Sequence, residues 1–198
     1  MKLKQERYIV NKYSDLIKWA SENATHYISP LGNRWLHVQG VVEQALRVGA
    51  IFDEKERSYL IAAAYVHDIG YAPELKQTGL HSIDGAHWLR SHSQERLASL
   101  TAYHSGTWFQ AQLNGLLPDL EQFSREDSML ADALDYCDMT TGPAGARISF
   151  EERIQDILVR YPEPHIVAQA THQAKPSLSQ AVERIQQELD KHGIVVHS

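Results

Sequence analysis

The run Tyr59-Leu60-Ile61-Ala62-Ala63-Ala64-Tyr65-Val66 constrains the fold more than any other part of the sequence. It is too short to span a membrane and apolar all round its helix, the pattern of a helix packed on every side by other elements. The next residues are His67-Asp68-Ile69-Gly70-Tyr71-Ala72-Pro73, in which Gly70 and Pro73 are stop signals. Two strongly polar side chains therefore sit at the end of the most buried helix. Such placement is costly unless the pair is hydrogen-bonded, ion-paired or bound to something.

The remaining sequence reads as helices separated by short Gly/Pro/Ser/Asn breaks, without the alternating β-branched runs of a sheet. The expected class is all-α. With 198 residues, 43% of them hydrophobic, the chain suffices for one compact domain over residues 1–198. A first helix is expected over about residues 5–24, with Tyr8, Ile9, Tyr13, Leu16, Ile17 and Ala20 on one face. Others are expected from about Arg34, from about Ser82, from about Gln94 through His104, and over about residues 125–139. Gly106, Gly115 and Pro118 mark a looser stretch, Ser149 is placed to cap a helix from Phe150, and Ser177 or Ser179 one that runs to about Lys191.

Nineteen basic against 25 acidic residues give a formal charge of −6, and no basic patch stands out, so a nucleic-acid partner is not expected. The single cysteine, Cys137, excludes an internal disulfide and a thiolate zinc knuckle. Any metal must be held by nitrogen and oxygen. No apolar run reaches signal-peptide or membrane-spanning length, and a soluble, cytoplasmic protein is expected.

The His67-Asp68 pair gains meaning from its setting. His37 precedes it in Arg34-Trp35-Leu36-His37-Val38, and His81 follows in Gly79-Leu80-His81-Ser82-Ile83-Asp84. His104 lies in Ala102-Tyr103-His104-Ser105-Gly106 and Asp138 in Asp135-Tyr136-Cys137-Asp138-Met139-Thr140-Thr141. This order of a helical His, a His-Asp pair, two further histidines and a late Asp resembles the HD phosphohydrolase superfamily, particularly its two-metal members. The match includes His67-Asp68-Ile69-Gly70, the most recognisable signature of that family.

The resemblance implies an HD core over about residues 30–142 with helical extensions at both ends. It implies that His37, His67, Asp68 and Asp138 supply a basic metal site, and that His81 and His104 hold a second ion with Asp68 bridging. Asp138 is preferred to Asp135 because the family's aspartate lies near its helix end. Mixed imidazole and carboxylate ligands suit iron, manganese, zinc or nickel better than magnesium. One such ion lowers the pKa of its water from about 15.7 to about 7, and a pair clamps attacking and leaving oxygens in phosphoryl transfer.

The implied activity is metal-dependent hydrolysis of a phosphomonoester, phosphodiester or anhydride of a nucleotide or similar small metabolite, with His67 and Asp68 at its catalytic centre. Two alternatives stay open: a di-iron oxygenase that cleaves a carbon bond, and a non-catalytic module that binds a metabolite. Arg34, one helical turn before His37, is in reach of a substrate phosphate or a nearby carboxylate. Tyr71 stands where the family often has a substrate-contacting Lys. Asp84, Thr107, Arg147 and Arg153 are candidate supporting or substrate contacts, each equally explained by a cap or a solvated face. The histidines at 26, 92, 165, 172, 192 and 197 are expected on the surface, and assembly into a homo-oligomer is compatible with the sequence.

Overall fold

The computed structural model describes the backbone of residues 2–194 and the side chains of residues 13–194. Among them are helices and no strands; one isolated bridge, Thr141 to Arg147, closes a loop. In chain order the helices are α1 (Lys2–Ile28), α2 (Asn33–Val48), α3 (Glu54–Val66), α4 (His81–Ser91) and α5 (Glu95–Tyr103), then α6 (Thr107–Asn114), α7 (Leu117–Leu120), α8 (Met129–Met139), α9 (Phe150–Arg160) and α10 (Ile166–Lys191).

α3 is the axis of the core. Asp53 caps it by accepting the Glu56 N–H, and Leu60, Ala62, Ala63, Ala64 and Val66 are fully buried. The alanine triplet lets neighbours approach closely, and α1, α2, α5 and α8 pack around it. Gly70, in the 3-10 turn after α3, explains how the next helix is docked. A Cβ there would lie 2.0 Å from the His81 carbonyl oxygen and 2.5 Å from the Gly85 nitrogen, so only glycine lets this turn lie against α4. The end of the buried helix and the start of α4 are thereby held together.

Several boundaries differ from the sequence expectations. α1 continues to Ile28 rather than stopping near Ala24, and the Tyr8 and Ile9 side chains lie outside those described. α8 begins at Met129 rather than near Arg125 because Ser128 caps it by accepting the Ala131 N–H. The stretch read as loose contains α6 and α7, with Gly106 and Gly115 in left-handed conformation bounding α6. The last helix starts at Ile166, well before Ser177, and keeps Pro176 inside it. Packing on α6, α8 and α9 outweighs the one backbone bond that proline forfeits. Ser149 caps α9 as expected, in a reciprocal capping box with Glu152.

Candidate metal centre

Helix ends build the centre. The last carbonyls of a helix have no partner within it, and two histidines just beyond such ends supply donors. His67 Nδ1 donates to the Ala64 carbonyl at 2.9 Å past α3, and His104 Nδ1 to the Thr101 carbonyl at 2.6 Å past α5. His37, on α2, donates from Nδ1 to the Gly142 carbonyl at 3.0 Å. With Nδ1 carrying the proton in each ring, the Nε2 lone pair is directed inward, as in metal-ligating histidines.

The inward atoms converge on two carboxylates. His37 Nε2 lies 2.9 Å from Asp138 Oδ1 and 3.9 Å from Asp68 Oδ2, and His67 Nε2 lies 3.3 Å from Asp68 Oδ2. On the other side of the same carboxylate, His81 Nε2 is 3.3 Å and His104 Nε2 4.0 Å from Asp68 Oδ1, and these two imidazole nitrogens are 3.4 Å apart. Asp68 thus divides four imidazoles into two pairs, one on each oxygen. Two triads have ligand atoms all within 4.8 Å, His37/His67/Asp138 and His67/Asp68/His104. His81 stands outside both but flanks the second.

The site's electrostatics fit a cation. Burial alone would raise the Asp68 pKa, yet Arg34, His67 and His81 hold it well below the usual carboxylate range. Burial acts likewise on Asp138, where the adjacent His37 and Arg153 prevail. Burial pushes His81 down to about 3 and also lowers His104, so both rings stay neutral, the form in which an imidazole ligates a metal. Burial would lower His67 too, but Asp68 and Asp138 outweigh it and draw a proton onto the ring. That proton and a metal ion compete for one site: His67 Nε2 is wholly buried without a hydrogen-bond partner. The orphaned nitrogen, the neutral rings and the two ionised carboxylates suit a divalent transition metal.

All six residues singled out for metal binding, His37, His67, Asp68, His81, His104 and Asp138, lie in this one cluster. The centre opens into a cleft of ≈ 730 Å3, counted to its open mouth. Arg34 donates to Asp68 Oδ2 at 2.7 Å, and its guanidinium carbon lies 3.9 Å from the centre of the Tyr71 ring. Tyr71 in turn stacks on His81, centroids 4.1 Å apart at 16°. His104 falls in the 3-10 turn after α5 rather than on the helix. Asp84 faces away: it accepts the Thr78 and Gly79 N–H groups and the Thr78 hydroxyl, tying the loop before α4. Thr107 donates to the His104 carbonyl, and Cys137 is a core residue. His87 packs on Phe123, and the histidines at 26, 92, 165, 172 and 192 are exposed, while His197 lies outside the described residues.

Two contributors, Ser105 and α10, were given no role from the sequence, and a third, Arg153, was named there only as a candidate contact. Ser105, in left-handed conformation between His104 and Gly106, donates its hydroxyl to Asp138 Oδ2 in a short bond, while its N–H donates to Asp135 Oδ1 at 2.6 Å. Arg153, from α9, is buried beside Asp138, its Nη2 3.4 Å from Oδ1. α10 covers the cleft with Val167, Ala170, Thr171, Ala174 and Leu178. None of these has a motif; only His104-Ser105-Gly106, a polar residue held between a ligand-type histidine and glycine, was a usable signal.

Comparison with curated proteins and with solved structures gives no match. The family model described as HD domain matches residues 34–140, more than half of the 198 residues, and spans the whole cluster from Arg34 to Asp138. The order of ligand-type residues, their convergence at the end of α3 and this match agree, and the chain belongs to the HD-domain family, whose members are mostly metal-dependent phosphohydrolases.

Proposed function

We propose that this chain hydrolyses a phosphomonoester, phosphodiester or phosphoanhydride bond of a nucleotide or similar small metabolite. The observation that carries the reading is the division of four imidazoles between the two oxygens of Asp68. His37, His67 and Asp138 would hold one ion and His81 with His104 another, Asp68 serving both. Iron, manganese, zinc and nickel fit this donor set. Such ions, when bound, supply an activated water and neutralise charge on phosphoryl oxygens.

The chain's own groups do the rest. Arg34 holds Asp68 and presents a guanidinium to the cleft, suited to bidentate binding of a phosphoryl group. Burial and the nearby Asp68 raise the Tyr71 pKa, so its hydroxyl stays protonated and remains a donor. Val167, Ala170, Ala174 and Leu178 of α10 give the cleft one apolar wall, which weakens the screening of developing charge on that side. The choice of a nucleotide-like body rests on family analogy. We place the protein in the cytoplasm and expect no nucleic-acid partner, from the net charge of −6 and from the absence, among described residues, of a helix long and apolar enough to cross a membrane.

The test is metal analysis of purified protein followed by assays of phosphate release. The panel holds nucleoside mono-, di- and triphosphates, cyclic nucleotides and sugar phosphates, each with iron-, manganese-, zinc- and nickel-loaded protein. Release that vanishes with chelator is expected. No release from any member by protein that carries metal would refute the reading, and substrate-dependent oxygen uptake by the iron form would replace it with the oxygenase.

A further inference from the structure

α9 lies outside the family-matched residues yet delivers two arginines to the site. Arg153 and Arg160 are seven residues apart, two helical turns, so both fall on the face of α9 that borders the cleft. Asp156 lies between them: Arg160 Nη2 donates to its Oδ2 at 2.7 Å, whereas Arg153 Nη1 reaches that oxygen only at 3.4 Å. The other Arg153 contact, Nη2 to Asp138, is also 3.4 Å, and its Nε has no partner. An arginine only 6% exposed is thus held by two long bonds, with its Nε left without a partner. Burial of a cation in that state is costly, and the arrangement is one that an incoming acceptor would complete.

We propose that Arg153 and Arg160 form, with Arg34, a clamp for a phosphate group beside the metal centre; this rests on the hydrolase reading and names the groups that hold its substrate. All three arginines line the cleft of the candidate metal centre, and the same three line an adjoining cleft whose other walls are Asn33, His37 and Pro143, with no carboxylate among them. In the described structure Arg34 faces Asp68 and Arg153 faces Asp138, the two acids of the centre. A cation held by those acids would neutralise them and leave three guanidiniums against Asp156 alone. That surplus matches a dianion rather than a monocarboxylate, and the planar fork of guanidinium donors matches phosphate oxygens.

The test uses full-length protein loaded with manganese, with inorganic phosphate as the calorimetric probe, acetate as the monoanion control and metal per chain measured in every sample. Arg153→Gln and Arg160→Gln should each weaken phosphate binding at least tenfold at unchanged metal content, Arg153→Lys should recover part of the loss, and acetate should bind weakly throughout. Phosphate affinity within twofold of wild type in both glutamine variants overturns the clamp. So does a loss seen only where metal is also lost, since Arg153 would then merely hold Asp138 in place. If Arg153→Gln does not fold, Arg160→Gln decides, because that side chain is 35% exposed and packs in no core. Failure of the hydrolase reading shows separately, as a substrate panel without turnover, and the binding measurement stands whatever that panel gives.

Discussion

Replacement of His104 by alanine separates the two halves of the centre. The side chain is buried, donates from Nδ1 to the Thr101 carbonyl at 2.6 Å and faces His81 and Asp68 through Nε2. The folding cost has two parts: a carbonyl stripped of its donor, about 1–3 kcal/mol, and the cavity left by the ring, which brings the total to about 2–5 kcal/mol. A domain of this size loses about 2–4 °C of melting temperature per kcal/mol, so the midpoint should fall by roughly 4–20 °C while the protein still folds at 20 °C. For metal, the second set would shrink to His81 and one oxygen of Asp68, below the three protein ligands of an ordinary site. His37, His67, Asp138 and the other Asp68 oxygen are untouched. Elemental analysis after dialysis, beside a thermal melt, should show two ions per chain in wild type and one in the variant. Equal numbers in the two proteins would refute the division of labour across Asp68, and one ion in both would confine the centre to His37, His67, Asp68 and Asp138.

Three other outcomes follow from the same geometry. His67→Ala and Asp68→Ala should each lower bound metal and cut activity below a tenth of wild type, a barrier change of at least about 1.4 kcal/mol; higher residual activity would dismiss the assignment, with His192→Ala, exposed at the end of α10, as the silent control. Burial holds the Asp135 carboxyl up at about 7 against an ordinary 3.8, so its contribution to stability is full below about pH 4 and is lost as pH rises toward 7. Asp135→Asn should flatten that part of the metal-free stability profile, by at most about 4 kcal/mol for three units at about 1.4 kcal/mol each; a profile as steep as wild type in urea titrations from pH 4 to 8 would contradict it. Gly70→Ala should cost about 3 kcal/mol or more, because the added carbon meets backbone atoms of His81 and Gly85 that cannot rotate away. An unchanged urea midpoint would refute that.

The fold class was legible because α3 announces itself: an apolar run with no polar face demands a helical shell, and nothing in the sequence alternates like a strand. The centre was legible because ligand-type residues cluster at helix ends in a family order, and six of them converge as the resemblance implied. Arg153 was much less so. Its sequence neighbourhood is an ordinary amphipathic helix, and only the packing of α9 against α8 and α10 brings it to Asp138. The start of α10 was misread for a related reason. Pro176 is a local stop signal, whereas the apolar face formed by Ala168, Ala174, Leu178, Ala181, Ile185 and Leu189 is continuous across it, and only the tertiary contact shows that continuity to prevail.

The three hydrogen bonds that fix the imidazole tautomers differ in reach. His67 and His104 each take a carbonyl three residues back, so their rings are oriented as soon as one helix end has formed. His37 takes the carbonyl of Gly142, 105 residues away. That carbonyl is carried by a loop whose Gly145 lies against Gly40, where a Cβ on α2 would stand 2.3 Å from the Gly145 oxygen. The fit of a loop to a helix, two glycines in contact, therefore sets the last ring of the centre. Closure of the chain between these distant segments is thus what orients His37: a fragment ending before Gly142 retains all six ligand-type side chains, yet lacks the acceptor that turns His37 toward Asp138.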